Sequence, residues 1–122
     1  MPWEVFGRNY HILLNEVAGA SALGGMTPWP INVDENGGLD PADVVAEIKE
    51  PDQHHPITSL LCLENTVNGH VQSVELISDL SQAAHNAGLS VHLDGARLFN
   101  AAIDLGVPIS DFTTSVDTLS IC

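Results

Sequence analysis

Positive charge is nearly missing from this chain. Arg8, Lys49 and Arg97 are its only lysines and arginines among 122 residues, against sixteen acidic residues, for a formal net charge of −13. That shortage excludes nucleic acid as a partner, since such affinity comes mainly from lysine and arginine neutralising phosphates. It excludes anionic membrane surfaces for the same reason. The acidity itself implies solubility and self-repulsion, and points to no function. Cysteine is scarce as well. Cys62 and Cys122 lie in apolar runs that read as buried strands, the ordinary setting of reduced, inert thiols in a cytosolic protein, so no disulfide is expected. No run reaches the ~18 apolar residues of a membrane span. The N-terminal stretch through Phe6 lacks the basic-then-apolar order of a secretory leader, and a cytoplasmic location is the expectation. Internal repeats, low-complexity tracts and domain linkers are absent. So are the Gly-x-Gly-x-x-Gly, Walker and Gly-x-Ser-x-Gly motifs.

What is present describes a folded α/β segment: 44% hydrophobic and 16% charged residues. Residues 10–23 carry Ile12, Leu13, Val17, Ala20 and Leu23 at near-helical spacing, and Gly24-Gly25 is a stop. Residues 26–33 are extended but broken by Pro28 and Pro30, which makes them an edge strand or a connector. Asp40-Pro41 opens a helix to about Lys49, with aspartate as cap and proline at the first helical position. Residues 57–63 are a nearly continuous apolar run, as in a parallel strand covered on both faces. A helix over 74–86, a strand over 89–93, a helix over 97–105 and a strand over 117–122 follow. Alternation of this kind implies a mostly parallel sheet with helices on both faces.

Asp94 ends the strand over 89–93 and therefore sits at the carboxyl edge of the sheet, where open parallel sheets bind ligands. Gly95 and Ala96 leave room beside it. A carboxylate there can hold a protonated ring nitrogen, a metal ion or a ribose hydroxyl. Equally, it can cap the helix beginning at Arg97 and pair with that arginine. Glu64, Asn65 and Thr66 end the preceding strand at the same edge, either as a second part of one site or as partners for loop backbone groups. His11 can lie flat on an aromatic ring or serve in acid–base work, and can equally be a surface residue. His92 and Asp94 share one strand face but have no third ligand, so no metal is expected. His54, His55, His70 and His85 read as surface.

The wording around these residues resembles the threonine aldolase family, pyridoxal-phosphate enzymes of the aspartate-aminotransferase-like fold (fold type I). The carriers are His92-Leu-Asp-Gly-Ala-Arg-Leu-Phe-Asn-Ala-Ala102, Leu63-Glu-Asn-Thr-Val-Asn-Gly69, Tyr10-His-Ile-Leu-Leu-Asn-Glu-Val-Ala-Gly19 and the terminal Asp117-Thr-Leu-Ser-Ile-Cys122. They span essentially the whole chain in the family's order. The resemblance implies cleavage of a β-hydroxy-α-amino acid such as threonine or allo-threonine into glycine and an aldehyde. It implies that Asp94 pairs with the pyridine nitrogen of pyridoxal 5'-phosphate, that His11 stacks on the ring and helps with the β-hydroxyl proton, and that Arg97 holds the substrate carboxylate. A homo-oligomer is implied for the full-length enzyme.

Two departures accompany it. Val67 replaces a histidine found in many bacterial relatives, which leaves the threo or allo preference open. The cofactor-binding lysine is expected about three residues past Cys122, and the phosphate-binding loop and small C-terminal domain are also expected elsewhere. Residues 1–122 are thus expected to be a partial cofactor-binding domain, inactive alone, with open sheet edges and poor solubility. The alternatives are a non-catalytic chain that associates with a full-length subunit, and a related β-eliminating lyase.

Overall fold

The computed structural model describes residues 2–122. Its elements run β1 (Trp3–Gly7), α1 (His11–Leu14), α2 (Gly19–Gly24), β2 (Thr27–Ile31), α3 (Pro41–Glu47), β3 (Thr58–Glu64), α4 (Val74–Asn86), β4 (Ser90–Asp94), α5 (Leu98–Leu105), α6 (Ser110–Thr113) and β5 (Thr118–Ser120). The five strands form one sheet in the order β2-β1-β3-β4-β5, every neighbouring pair parallel. No helix among the described residues is long and apolar enough to cross a membrane.

Period-two alternation divides the sheet into two unlike faces. Val5, Leu61, Leu63, Val91 and Leu93 lie on one face and are 0–1% exposed. The long helix α4 packs against β3 and β4 and also meets α3 and α6. It brings Ile77, Leu80 and Ala84 to this core. The other face carries Cys62 and Glu64 of β3, in register with His92 and Asp94 of β4, and α1 lies over its carboxyl end. Burial on both sides explains why β3 reads as an unbroken apolar run.

The Asp40-Pro41 signal acts as the sequence suggests. Asp40 accepts a hydrogen bond from the Ala42 N–H at 2.8 Å, with Pro41 at the first position of α3. Ser73 caps α4 through the Leu76 N–H at 3.1 Å. Gly88 and Gly106 take positive φ just beyond α4 and α5.

Three expectations need correction. Residues 10–23 are not one helix: α1 and α2 are separate short turns, interrupted by Val17 and Ala18 at φ 55°. The apolar spacing there was misleading because only its first part, Ile12 and Leu13, packs against the core, whereas Val17 and Leu23 are both 93% exposed, so no buried stripe runs through to favour a continuous helix. Secondly, β5 is a short edge strand paired only with β4, and Cys122 beyond it is exposed, whereas Cys62 is buried; both are free thiols. Thirdly, α3 ends at Glu47. Two further elements, β1 and α6, were not anticipated. Trp3–Gly7 is buried along its whole length between β2 and β3.

The edge strand β2 keeps its prolines clear of the pairing. Thr27 N–H donates to Pro2 O and Arg8 N–H to Ile31 O, so alternate residues face β1. Pro28 and Pro30 fall on the outward positions, where a missing N–H costs no ladder bond.

Glu4 is a buried carboxylate, 2% exposed, on the same face as Cys62. Burial raises its pKa, and the Cys62 Sγ contact at 3.9 Å lowers it only in part. A carboxyl raised on folding favours the folded state below its unfolded pKa, and that benefit disappears as pH rises through the folded pKa. Glu4→Gln is therefore expected to melt at a higher temperature than the parent at pH 7 and at nearly the same temperature at pH 3. A parent chain that is the more stable at pH 7 would contradict this.

Candidate functional site

The site forms where β3 and β4 end. Asp94 closes β4, opposite Glu64 in the β3 register. Directly after it, the Gly95 N–H donates to Ser120 O at 2.9 Å. A Cβ at Gly95 would stand 2.8 Å from that oxygen, so only glycine lets the end of β5 approach this closely. Ala96 then donates its N–H to Asp94 Oδ1 at 3.2 Å. The second carboxylate oxygen has no hydrogen bond among the described residues, and Asp94 is half-buried. Asp94 does not cap α5. Arg97 occupies the cap position without a side-chain bond, and no Asp94–Arg97 ion pair occurs among the described residues. Arg97 is exposed, with its guanidinium available to the same crevice.

Glu64 is 7% exposed. One of its oxygens accepts the His11 backbone N–H at 2.6 Å. Burial pushes its carboxyl above the usual range; the His11 N–H pulls it down, Asp94 pushes it up and the His11 ring pulls it down. Across this contact His11 opens α1, exposed, with Nδ1 3.6 Å from Glu16 Oε1. The turn is anchored by Tyr10, which is 2% exposed and donates its hydroxyl to Gly37 O at 3.2 Å. Its ring fills the space a Gly7 side chain would occupy.

A crevice of about 300 Å³ gathers His11, Glu64, Thr66, Asp94, Ala96 and Arg97, with Asn68 and Gly69 at its rim. A second of about 460 Å³ shares His11, Glu64, Asp94 and Ala96 and runs over Cys62 and His92 toward Ser120 and Cys122. The first has the size of a small-ligand pocket. It combines a carboxylate with a free oxygen, an imidazole and one guanidinium. This donor set suits a planar ligand with a protonated ring nitrogen beside an amino acid carboxylate.

The three singled-out residues, His11, Asp94 and Arg97, therefore meet in one crevice. Asn65 does not join them. Fully buried, it accepts the Gln72 N–H and donates to Gln72 O, both at 3.0 Å, which satisfies loop backbone instead. Val67 also points elsewhere: it is 0% exposed and packs against Gly37. His92 Nδ1 lies 2.8 Å from Thr118 Oγ1, and no group of three metal-ligating side chains occurs among the described residues. His85 is exposed but tied to Asp117 at 2.8 Å. Two functional candidates were under-weighted in the sequence: Glu64, whose signal was its place at the same sheet edge as Asp94, and Tyr10, which read only as a helix boundary.

The chain's single lysine lies at the opposite edge. Lys49 donates its N–H to Thr58 Oγ1 at the start of β3, and its ammonium stands 5.3 Å from the Trp29 ring. Thr58 and Glu64 are the two ends of one seven-residue strand, which at about 3.3 Å per residue separates Lys49 from the crevice by roughly 20 Å.

The family described as beta-eliminating lyase matches residues 3–122. A probable low-specificity L-threonine aldolase 2 of Arabidopsis thaliana is 38% identical, covering 97% of this chain and 35% of its own length. A low specificity L-threonine aldolase of Escherichia coli K12 is 36% identical over the same shares. This chain thus spans about a third of the length of these curated relatives. The solved threonine aldolase of Leishmania major superposes with a TM-score of 0.85 at 24% identity, covering 98% of this chain and 36% of that one.

Proposed function

Because this chain belongs to the beta-eliminating lyase family, among its threonine aldolases, we propose that it forms the cofactor-binding core of a pyridoxal-phosphate-dependent aldolase. The reaction proposed is cleavage of L-threonine or L-allo-threonine into glycine and acetaldehyde. The observation that carries the reading is the convergence of His11, Asp94 and Arg97 on one crevice at the carboxyl edge of a parallel sheet.

Pyridoxal phosphate, when bound, supplies the electron sink that makes the bond between the α- and β-carbons cleavable. Asp94 is the residue to hold its protonated ring nitrogen, with the oxygen that Ala96 leaves free. His11 would stack on the ring in this reading. With Nδ1 turned to Glu16, its Nε2 remains to exchange a proton with the β-hydroxyl. Arg97 offers a planar fork of donors to the substrate carboxylate, which orients the α-carbon. Lys49 has no part in this, being at the far edge of the sheet. A cytoplasmic, homo-oligomeric protein is part of the proposal. Phe99 and Ile103, 53% and 81% exposed one turn apart on α5, are surfaces that assembly would cover.

The test is to titrate the purified chain with pyridoxal phosphate, following absorbance and induced circular dichroism, and then to add threonine. Weak saturable binding is expected, with no glycine above a cofactor-only blank, because no lysine reaches the crevice. Absence of any saturable signal would sink the crevice assignment. Glycine formed above the blank would sink the claim that Lys49 cannot serve.

A further inference from the structure

His11 stands where the proposed chemistry needs it, on a turn that Tyr10 anchors and that Ile12 and Leu13 pack against the core, yet the start of α1 has no cap of its own. This helix is a single turn with no buried residue, and its cap residue, Tyr10, makes no side-chain capping bond. A helix of four residues is not stable by itself in water, because nucleation costs more than one turn returns. The first N–H of this turn instead finds an acceptor 53 residues away in the chain, Glu64 Oε2 at 2.6 Å. Glu64 is rigidly placed at the end of β3, between β1 and β4.

We propose that Glu64 is a positioning residue: its carboxylate holds the first turn of α1, and thereby the His11 imidazole, over the crevice beside Asp94. This deepens the aldolase reading and rests on it for the identity of the ligand. The titratable and charged groups around Glu64 are His11 from α1 and Glu16 after it, Asp94 and His92 from β4, Cys62 from β3, Cys122 beyond β5, Tyr10 ahead of α1 and Arg97 ahead of α5. Burial raises the Glu64 carboxyl and the negative charge of Asp94 raises it further, against the pull of His11. A cation seated on Asp94 cancels that second push. Glu64 then ionises more readily, and a hydrogen bond from an N–H to an ionised carboxylate is roughly twice as strong as to a neutral one. Filling the crevice therefore tightens the turn that carries His11.

The His11 amide proton reports this directly in NMR spectra of the ¹⁵N-labelled chain. It is expected far downfield at neutral pH and to move upfield as pH falls, with a midpoint above the ordinary carboxylate range. Glu64→Gln, which keeps a hydrogen-bond acceptor, is expected to abolish that titration while retaining part of the downfield shift; Glu64→Ala is expected to lose both. Asp94→Asn is expected to lower the midpoint, and saturating pyridoxal phosphate to lower it in the parent chain. A His11 amide that does not follow pH, or that titrates unchanged in Glu64→Gln, overturns the proposal. An unmoved midpoint in Asp94→Asn overturns the coupling. If Asp94→Asn moves the midpoint and pyridoxal phosphate does not, the positioning role stands and the cofactor reading falls.

Discussion

Asp94→Asn is expected to weaken pyridoxal phosphate binding by about 10- to 100-fold. The figure follows from a hydrogen bond to a charged group being worth about 1.5–3 kcal/mol, at about 1.4 kcal/mol per factor of ten. Asparagine has the shape of aspartate, and its side-chain oxygen can still accept the Ala96 N–H. The end of β4 is thus preserved and only the negative charge is lost. Equilibrium titration of parent and variant under one set of conditions measures the ratio. Lys49→Ala, at the opposite edge, is expected to bind as the parent does. Equal affinity of the Asp94→Asn chain would mean that the cofactor does not rest on this carboxylate.

A second large effect is expected at Gly37. Its φ is 79°, a region that costs a residue with a Cβ about 1–2 kcal/mol. The added carbon would also collide with Val67 Cγ1 and stand 2.6 Å from Val67 Cβ. Val67 is fully buried and has nowhere to retreat, and overpacking of this kind costs about 1–3 kcal/mol. Gly37→Ala should therefore lose on the order of 3 kcal/mol of stability, read as a lower urea midpoint at unchanged slope. Val67→Ala in the same background should recover part of the loss. A midpoint equal to the parent's would show that the loop shifts freely. The site would feel this substitution too, since Gly37 O accepts the Tyr10 hydroxyl and Asn36 O accepts from Gln72. Gln72 in turn satisfies Asn65, beside the crevice rim.

The sequence disclosed the elements whose signals are local. The Asp40-Pro41 start of α3 is short-range chemistry, and the strands ending at Glu64 and Asp94 were each placed within one residue. The elements that went astray depend on neighbours distant in sequence. Trp3–Gly7 is a strand because β2 and β3 flank it, which nothing within five residues declares. Val17 and Leu23 continue the helical spacing of Ile12 and Leu13, and only the fold shows that they face away from any core. The site behaved likewise. His11, Asp94 and Arg97 stand in recognisable wording, and so does Glu64, but Glu64 gains its meaning from a contact across 53 residues. Asn65, its immediate neighbour, proved to be a loop brace.

The prolines of β2 give the sheet a direction of growth. With Pro28 and Pro30 on its outward positions, that margin lacks two of the donors an incoming strand would need. The margin along β5 has no such block, and Thr118 and Ser120 there are exposed. Strand recruitment, whether by a proper partner or by another misassembled copy, is thereby confined to one flank. Any fibrillar deposit this chain forms should nucleate from Thr118–Ser120 and leave Thr27–Ile31 accessible to protease.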